Sequence, residues 1–118
     1  MVEDGVTFKL KIMTEITGEQ LEQLKKEGKN ILLDLHGVWC GPCKMLMPKL
    51  EQIETQYDNV VFVKMDIDKN RDYVMELGVR SVPTIMIYNG KEIVDTIIGV
   101  KPDAHYKDVL NKVQEYGK

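Results

Sequence analysis

Along residues 6–12 the apolar side chains Val6, Phe8, Leu10 and Ile12 alternate with Thr7, Lys9 and Lys11, the period of a strand with one dry face. Thr17-Gly18-Glu19-Gln20 then has the spacing of a capping box and leads into Leu21 and Leu24, so a helix is predicted that stops at Gly28. Ile31 to His36 is apolar enough for an interior strand. Behind it Leu46, Leu50, Ile53 and Tyr57 recur on one helical face. Pro48 lies inside that helix, where its missing donor and ring predict a kink.

Val60-Val61-Phe62-Val63 is the most apolar strand, followed by a polar run from Asp66 to Asp72. Asn70 is predicted to cap a short helix carrying Tyr73, Val74 and Leu77, ended by Gly78. A strand follows at Ile85 to Tyr88. Asn89-Gly90 is the strongest hairpin signal in the chain, so Ile93 to Ile98 should return antiparallel. Gly99 interrupts, and Pro102 falls near the first turn of a last helix with Tyr106, Val109, Leu110 and Val113 facing inward. The order β-α-β-α-β-α-β-β-α predicts an α/β fold, a mixed central sheet of about five strands with four helices on its two faces. The crossovers call for parallel pairing and the Asn-Gly turn for one antiparallel pair. With no linker or internal repeat, residues 1–118 read as one domain.

Composition narrows the function. At 43% hydrophobic and 30% charged the chain is neither disordered nor membrane-like, and no apolar run approaches the roughly eighteen residues a bilayer demands. A formal charge of −3 leaves no basic surplus for phosphates, which argues against nucleic acid. The acidic start, Met1 to Gly5, lacks a basic-then-apolar leader, so a reducing cytoplasm is expected. Two cysteines are too few for a disulfide framework; at C-x-x-C spacing they point to redox chemistry or a metal.

Those cysteines, Cys40 and Cys43, stand where the Ile31 strand turns into the helix. Cys40 is expected to cap that helix at the surface, where unpaired N–H groups and the dipole favour a thiolate, with Cys43 more buried one turn in. The spacing brings the second sulfur beneath the first, so that it can attack a mixed disulfide and expel the other thiol. Pro42 suits a first turn, and Gly41 leaves room for an approaching backbone. Zinc usually needs four ligands, and only His36 and His105 are available beyond the cysteines. A structural bridge would close too short a loop to restrain much, and Cys43 breaks the P-loop ending that Gly37 to Lys44 otherwise suggests. Asp34, among Ile31, Leu32, Leu33 and Leu35, is either a buried acid with a raised pKa or an edge acid facing water.

Trp39-Cys40-Gly41-Pro42-Cys43-Lys44 resembles the active-site motif of the thioredoxin family. The likeness extends through Asp34, Pro48, Lys64, Val82-Pro83-Thr84, Asn89-Gly90 and Gly99, almost the whole chain. The resemblance implies a thioredoxin-like fold in which Cys40 attacks, Cys43 resolves, Asp34 manages the proton of Cys43, Lys64 is the buried charge partner, and Pro83 is a cis-proline against the disulfide. It further implies that Trp39, Gly41, Pro42, Val82, Gly99 and Val100 receive an extended client segment, by backbone pairing at Val82. His36 and Val38 depart from the pattern. The histidine stands where an apolar or aromatic residue is usual and reads either as a core residue bonded to backbone or as a group coupled to the thiolate; Val38 makes the client surface greasier.

Taken together, the residues and the resemblance imply a monomeric thiol–disulfide oxidoreductase that reduces protein disulfides without a bound cofactor. Its clients are disulfide-containing proteins. A flavoprotein like thioredoxin reductase would recycle it, using NADPH indirectly. An oxidase or isomerase, or a holdase whose apolar patch outweighs its sulfurs, are the alternatives.

Overall fold

A computed structural model describes residues 13–116, with side chains through Val113. The strand expected over residues 6–12 lies outside the described residues. Five strands and four helices follow in the expected order of types: β1 (Thr14–Glu15), α1 (Gly18–Lys26), β2 (Asn30–His36), α2 (Gly41–Glu54), β3 (Val60–Asp66), α3 (Arg71–Leu77), β4 (Thr84–Asn89), β5 (Glu92–Ile98) and α4 (Asp103–Tyr116). The strands lie in the order β1-β3-β2-β4-β5.

β2 lies at the centre of this sheet because it can afford to. Every one of its residues from Ile31 to His36 is buried, and a strand hidden on both faces has no need of a polar alternation. It pairs with β3 in parallel and with β4 antiparallel. Antiparallel pairing therefore occurs twice, at β2/β4 as well as in the β4/β5 hairpin, where one such pair was expected. The connection through α3 leaves and re-enters the sheet at the same end, so β4 starts where β3 finished and runs against both β3 and β2.

Leu32, Ile85 and Ile87 face α2 and α4, which contribute Leu46, Leu50, Ile53, Tyr106, Val109, Leu110 and Val113 to that core. Ile31, Leu33, Leu35 and Met86 face the other way, against Leu21 of α1 and Val74 of α3. The helix faces expected from the periodicity are thus the buried ones, and α2 continues through Pro48 from Gly41 to Glu54. Thr17 and Gln20 form the complete reciprocal capping box, and Gly28 and Gly78 close their helices at φ +75° and +79°, a region open to glycine without penalty.

Asn70 departs from expectation. It precedes α3, yet its side chain makes no capping bond there; instead its Oδ1 accepts from Gly18 N–H at 3.3 Å and its Nδ2 donates to Asp66 O at 2.9 Å. The amide satisfies an orphan donor at the start of α1, a helix more than fifty residues earlier. The hairpin also differs in detail. Asn89 pairs with Glu92, so the two-residue loop is Gly90-Lys91, and the register slips between Ile87, opposite Asp95, and Tyr88, opposite Ile93. Val94 is the extra residue, and it packs against the core below.

Candidate active site

Where β2 ends, Gly37 to Trp39 turn the chain into α2, and Cys40 is the residue that caps it. Its Sγ accepts from Cys43 N–H at 3.2 Å, and the two sulfurs are joined as a disulfide across a Cα–Cα distance of 5.3 Å. Cys40 is only 4% exposed and Cys43 2%, so the contrast expected between a surface sulfur and a buried one is nearly absent. Part of the cover is the loop before β4, whose Val82 O lies 3.8 Å from Cys40 Sγ. The Val82-Pro83 peptide in that loop is cis.

Around the disulfide lies a rim of apolar residues. Trp39 and Val38 are more than 60% exposed and Val100 is 40% exposed, while Gly41 has open space where a side chain would stand. The Trp39 ring is held along its Nε1 edge. A Cβ on Gly37 would come within 2.7 Å of it, and its Nε1 donates to Asp68 Oδ2 at 2.7 Å. On the other side, Gly99 (φ +83°) donates its N–H to Pro83 O at 2.9 Å. Tyr106 Oη accepts from Lys101 N–H at 2.9 Å and donates to Gly99 O at 3.4 Å. Thus α4 holds the Gly99–Lys101 loop beside Val82 and Pro83.

On the α2 face of the sheet sit the charged groups. Asp34 is fully buried, in the central strand, and neither carboxylate oxygen has a hydrogen-bond partner among the described residues; an edge acid facing water is excluded. Burial pushes its carboxyl up to about 6, against the opposing pull of His36 and Lys64, with Glu15 adding to the rise. Lys64 stands opposite Asp34 in the β2/β3 register but is only half-buried and makes no hydrogen bond to it, so it acts through its field rather than as a bonded partner. His36, Val38, Cys43, Lys44 and Lys64 line one cavity of about 370 Å³.

His36 is buried, but its partner is not backbone. Its Nε2 lies 3.1 Å from Glu15 Oε1, while Glu15 Oε2 accepts from Asp66 N–H at 2.7 Å. Glu15, Gly37 and Asp68 were not singled out from the sequence as site residues, and Tyr106 was read there only as an inward-facing helix residue. Glu15 and Asp68 act through partners that only the folded sheet brings near, whereas the contacts of Gly37 with Trp39 and of Tyr106 with Gly99 and Lys101 are local in sequence.

The Thioredoxin family profile matches residues 12–112 of this chain. Thioredoxin from Listeria monocytogenes is 40% identical over 102 residues, covering 86% of this chain and 98% of that protein. The chain belongs to the thioredoxin family. Thioredoxin from Streptomyces clavuligerus is 42% identical over 94 residues, or 79% of this chain and 88% of that one. Among solved structures, oxidised mitochondrial thioredoxin 3 of Saccharomyces cerevisiae superposes with a TM-score of 0.76 at 31% identity, over 84% of this chain and 94% of that one. A mutant thioredoxin from Halobacterium salinarum gives 0.78 at 30% identity, over 85% and 88%. With the cysteine pair closed as a disulfide, the chain is a thiol–disulfide oxidoreductase whose redox group is Cys40–Cys43 itself. Among the described residues no group of three or more His, Cys, Asp and Glu side chains could hold a metal, and no helix is long and apolar enough to cross a membrane.

Proposed function

We propose that this protein reduces disulfides in client proteins with Cys40 as nucleophile and Cys43 as resolving thiol. The observation that carries the assignment is the 3.2 Å bond from Cys43 N–H to Cys40 Sγ at the head of α2. In the dithiol form the same donor, with the other unpaired N–H groups of the first turn, stabilises a Cys40 thiolate. That anion attacks a client sulfur, the client disulfide breaks, and a mixed disulfide forms. Cys43 then gives up its proton, bonds to Cys40 Sγ and expels the client thiolate, so two electrons pass to the client.

Asp34 accepts the Cys43 proton. A carboxylate with no exposed surface and no hydrogen bond among the described residues is basic enough to do so near neutrality, and Lys64 keeps a share of it ionised. Trp39, Gly41, Pro42, Val82, Gly99 and Val100 form the client platform, with Val82 offering backbone hydrogen bonds that ignore side-chain identity and Pro83 holding Val82 over the disulfide. The Gly-Pro pair between the cysteines supports reduction as the working direction. A flavoprotein reductase drawing on NADPH would restore the dithiol, and a reducing cytoplasm is the compartment that suits the cycle. The chain acts as one domain and as a monomer.

The test is Cys43→Ser incubated with a disulfide-bonded protein. Covalent complexes released by dithiothreitol are expected to accumulate at Cys40. Full client binding with nothing trapped would make the protein a holdase instead.

A further inference from the structure

Two ionisable groups in the cavity beside Cys43, His36 and Lys44, have no part in the cycle above, and His36 is the one on the same strand as Asp34. His36 lies two residues beyond Asp34 on β2, so both side chains project from the same face of the sheet, with Cα atoms about 7 Å apart. It shares the cavity with Cys43, Lys44 and Lys64. Glu15, reaching from β1 across β3, fixes the imidazole at 3.1 Å and is itself fixed by Asp66 N–H. We propose that His36, clasped by Glu15, is a positioning residue for the resolving step: its charge sets the protonation of Asp34, and through Asp34 the pH range in which Cys43 can attack. This rests on Asp34 being the acceptor of the Cys43 proton.

An imidazole is the side chain whose charge changes near neutrality. The charged groups around His36 are Glu15 on β1, Asp34 on its own strand, Lys64 and Asp66 on β3, and Lys44 on α2. Of these, Asp34 is the fully buried one, and neither of its carboxylate oxygens has a hydrogen-bond partner among the described residues. Of the charges acting on it, His36 is the largest, ahead of Lys64. When His36 is protonated, Asp34 stays a carboxylate at lower pH and takes the Cys43 proton there. The Cys43 sulfur bonds to Cys40 Sγ, the Cys40–client bond breaks, and the client sulfur leaves with its electron pair. When His36 is neutral, Asp34 holds its own proton to higher pH and the step waits.

The test separates charge from hydrogen bonding. Carbon-13 NMR of the Asp34 carboxyl is followed against pH in the oxidised protein and in His36→Gln and His36→Phe. Glutamine can still donate to Glu15 but never carries charge. Both substitutions should raise the Asp34 midpoint by about half a unit or more. Rapid mixing of the reduced proteins with a chromogenic aromatic disulfide, which releases one coloured thiol at each step, should move the pH of half-maximal resolution in the same direction. The first release, followed in a Cys43→Ser background, should keep its midpoint. An Asp34 midpoint unmoved in both variants overturns the inference, as does a glutamine variant that titrates like the histidine. A resolution rate in the unaltered protein that ignores the Asp34 midpoint sinks Asp34 as the base, a failure distinct from a midpoint that His36 does not control.

Discussion

At Asp34 the fold keeps a carboxyl group where its charge is costly. Its native pKa of about 6, set first by burial, stands above the unfolded value of about 3.9. Between those two values the native state holds the proton more tightly, so stability declines as pH rises through that window and stays lower above it. Two units correspond to about 3 kcal/mol. Asp34→Asn should therefore be more stable than the unaltered protein at pH 7 by up to that amount, and the gain should vanish near pH 4; denaturant titrations at both values measure it. The same variant should slow resolution. The sequence showed an acid in an apolar run but could not choose between core and edge, because that depends on which strands flank β2. His36 posed the same problem: its partner, Glu15, lies two strands away, and nothing near either residue announces the pair.

Elements whose signals are local were legible. The capping box at Thr17, the glycine stops at Gly28 and Gly78, the inward faces of α2 and α4 and the β4/β5 hairpin all depend on residues within a turn or two of each other. What failed was long-range. Asn70 has the right residue type to cap α3, yet the first turn of α1 competes for its amide and wins. Tyr73 of α3 packs on Gly18 so tightly that an added Cβ would sit 2.6 Å from its ring, and its hydroxyl donates to Glu22. Asn70→Ala should then loosen α1 rather than α3, at a cost of about 1–2 kcal/mol. Hydrogen exchange read by segment distinguishes the two: amides at the start of α1 should exchange faster, while those of α3 hold.

For the molecule as a whole, the sheet is a plate that brings distant loops to one end. The turn after β2, the loop before β4 and the loop after β5 meet around the disulfide, and Tyr106 ties the last of them to α4. Tyr106→Phe leaves Lys101 N–H without its acceptor. If the proposed platform receives clients, the variant should raise KM for a protein disulfide several-fold while sparing the rate with a small aromatic disulfide, which on the same proposal needs Cys40 alone; parallel assays of the two substrates decide it. At the far side of the plate β5 is an edge strand among the described residues, with Ile93 and Ile98 half-exposed or more. A flat, greasy margin of this kind invites a second molecule to zip onto it. Val94, the surplus residue that turns toward the core, bends the strand there and spoils the template, so the same irregularity that interrupts the hairpin's ladder also discourages fibre-like stacking.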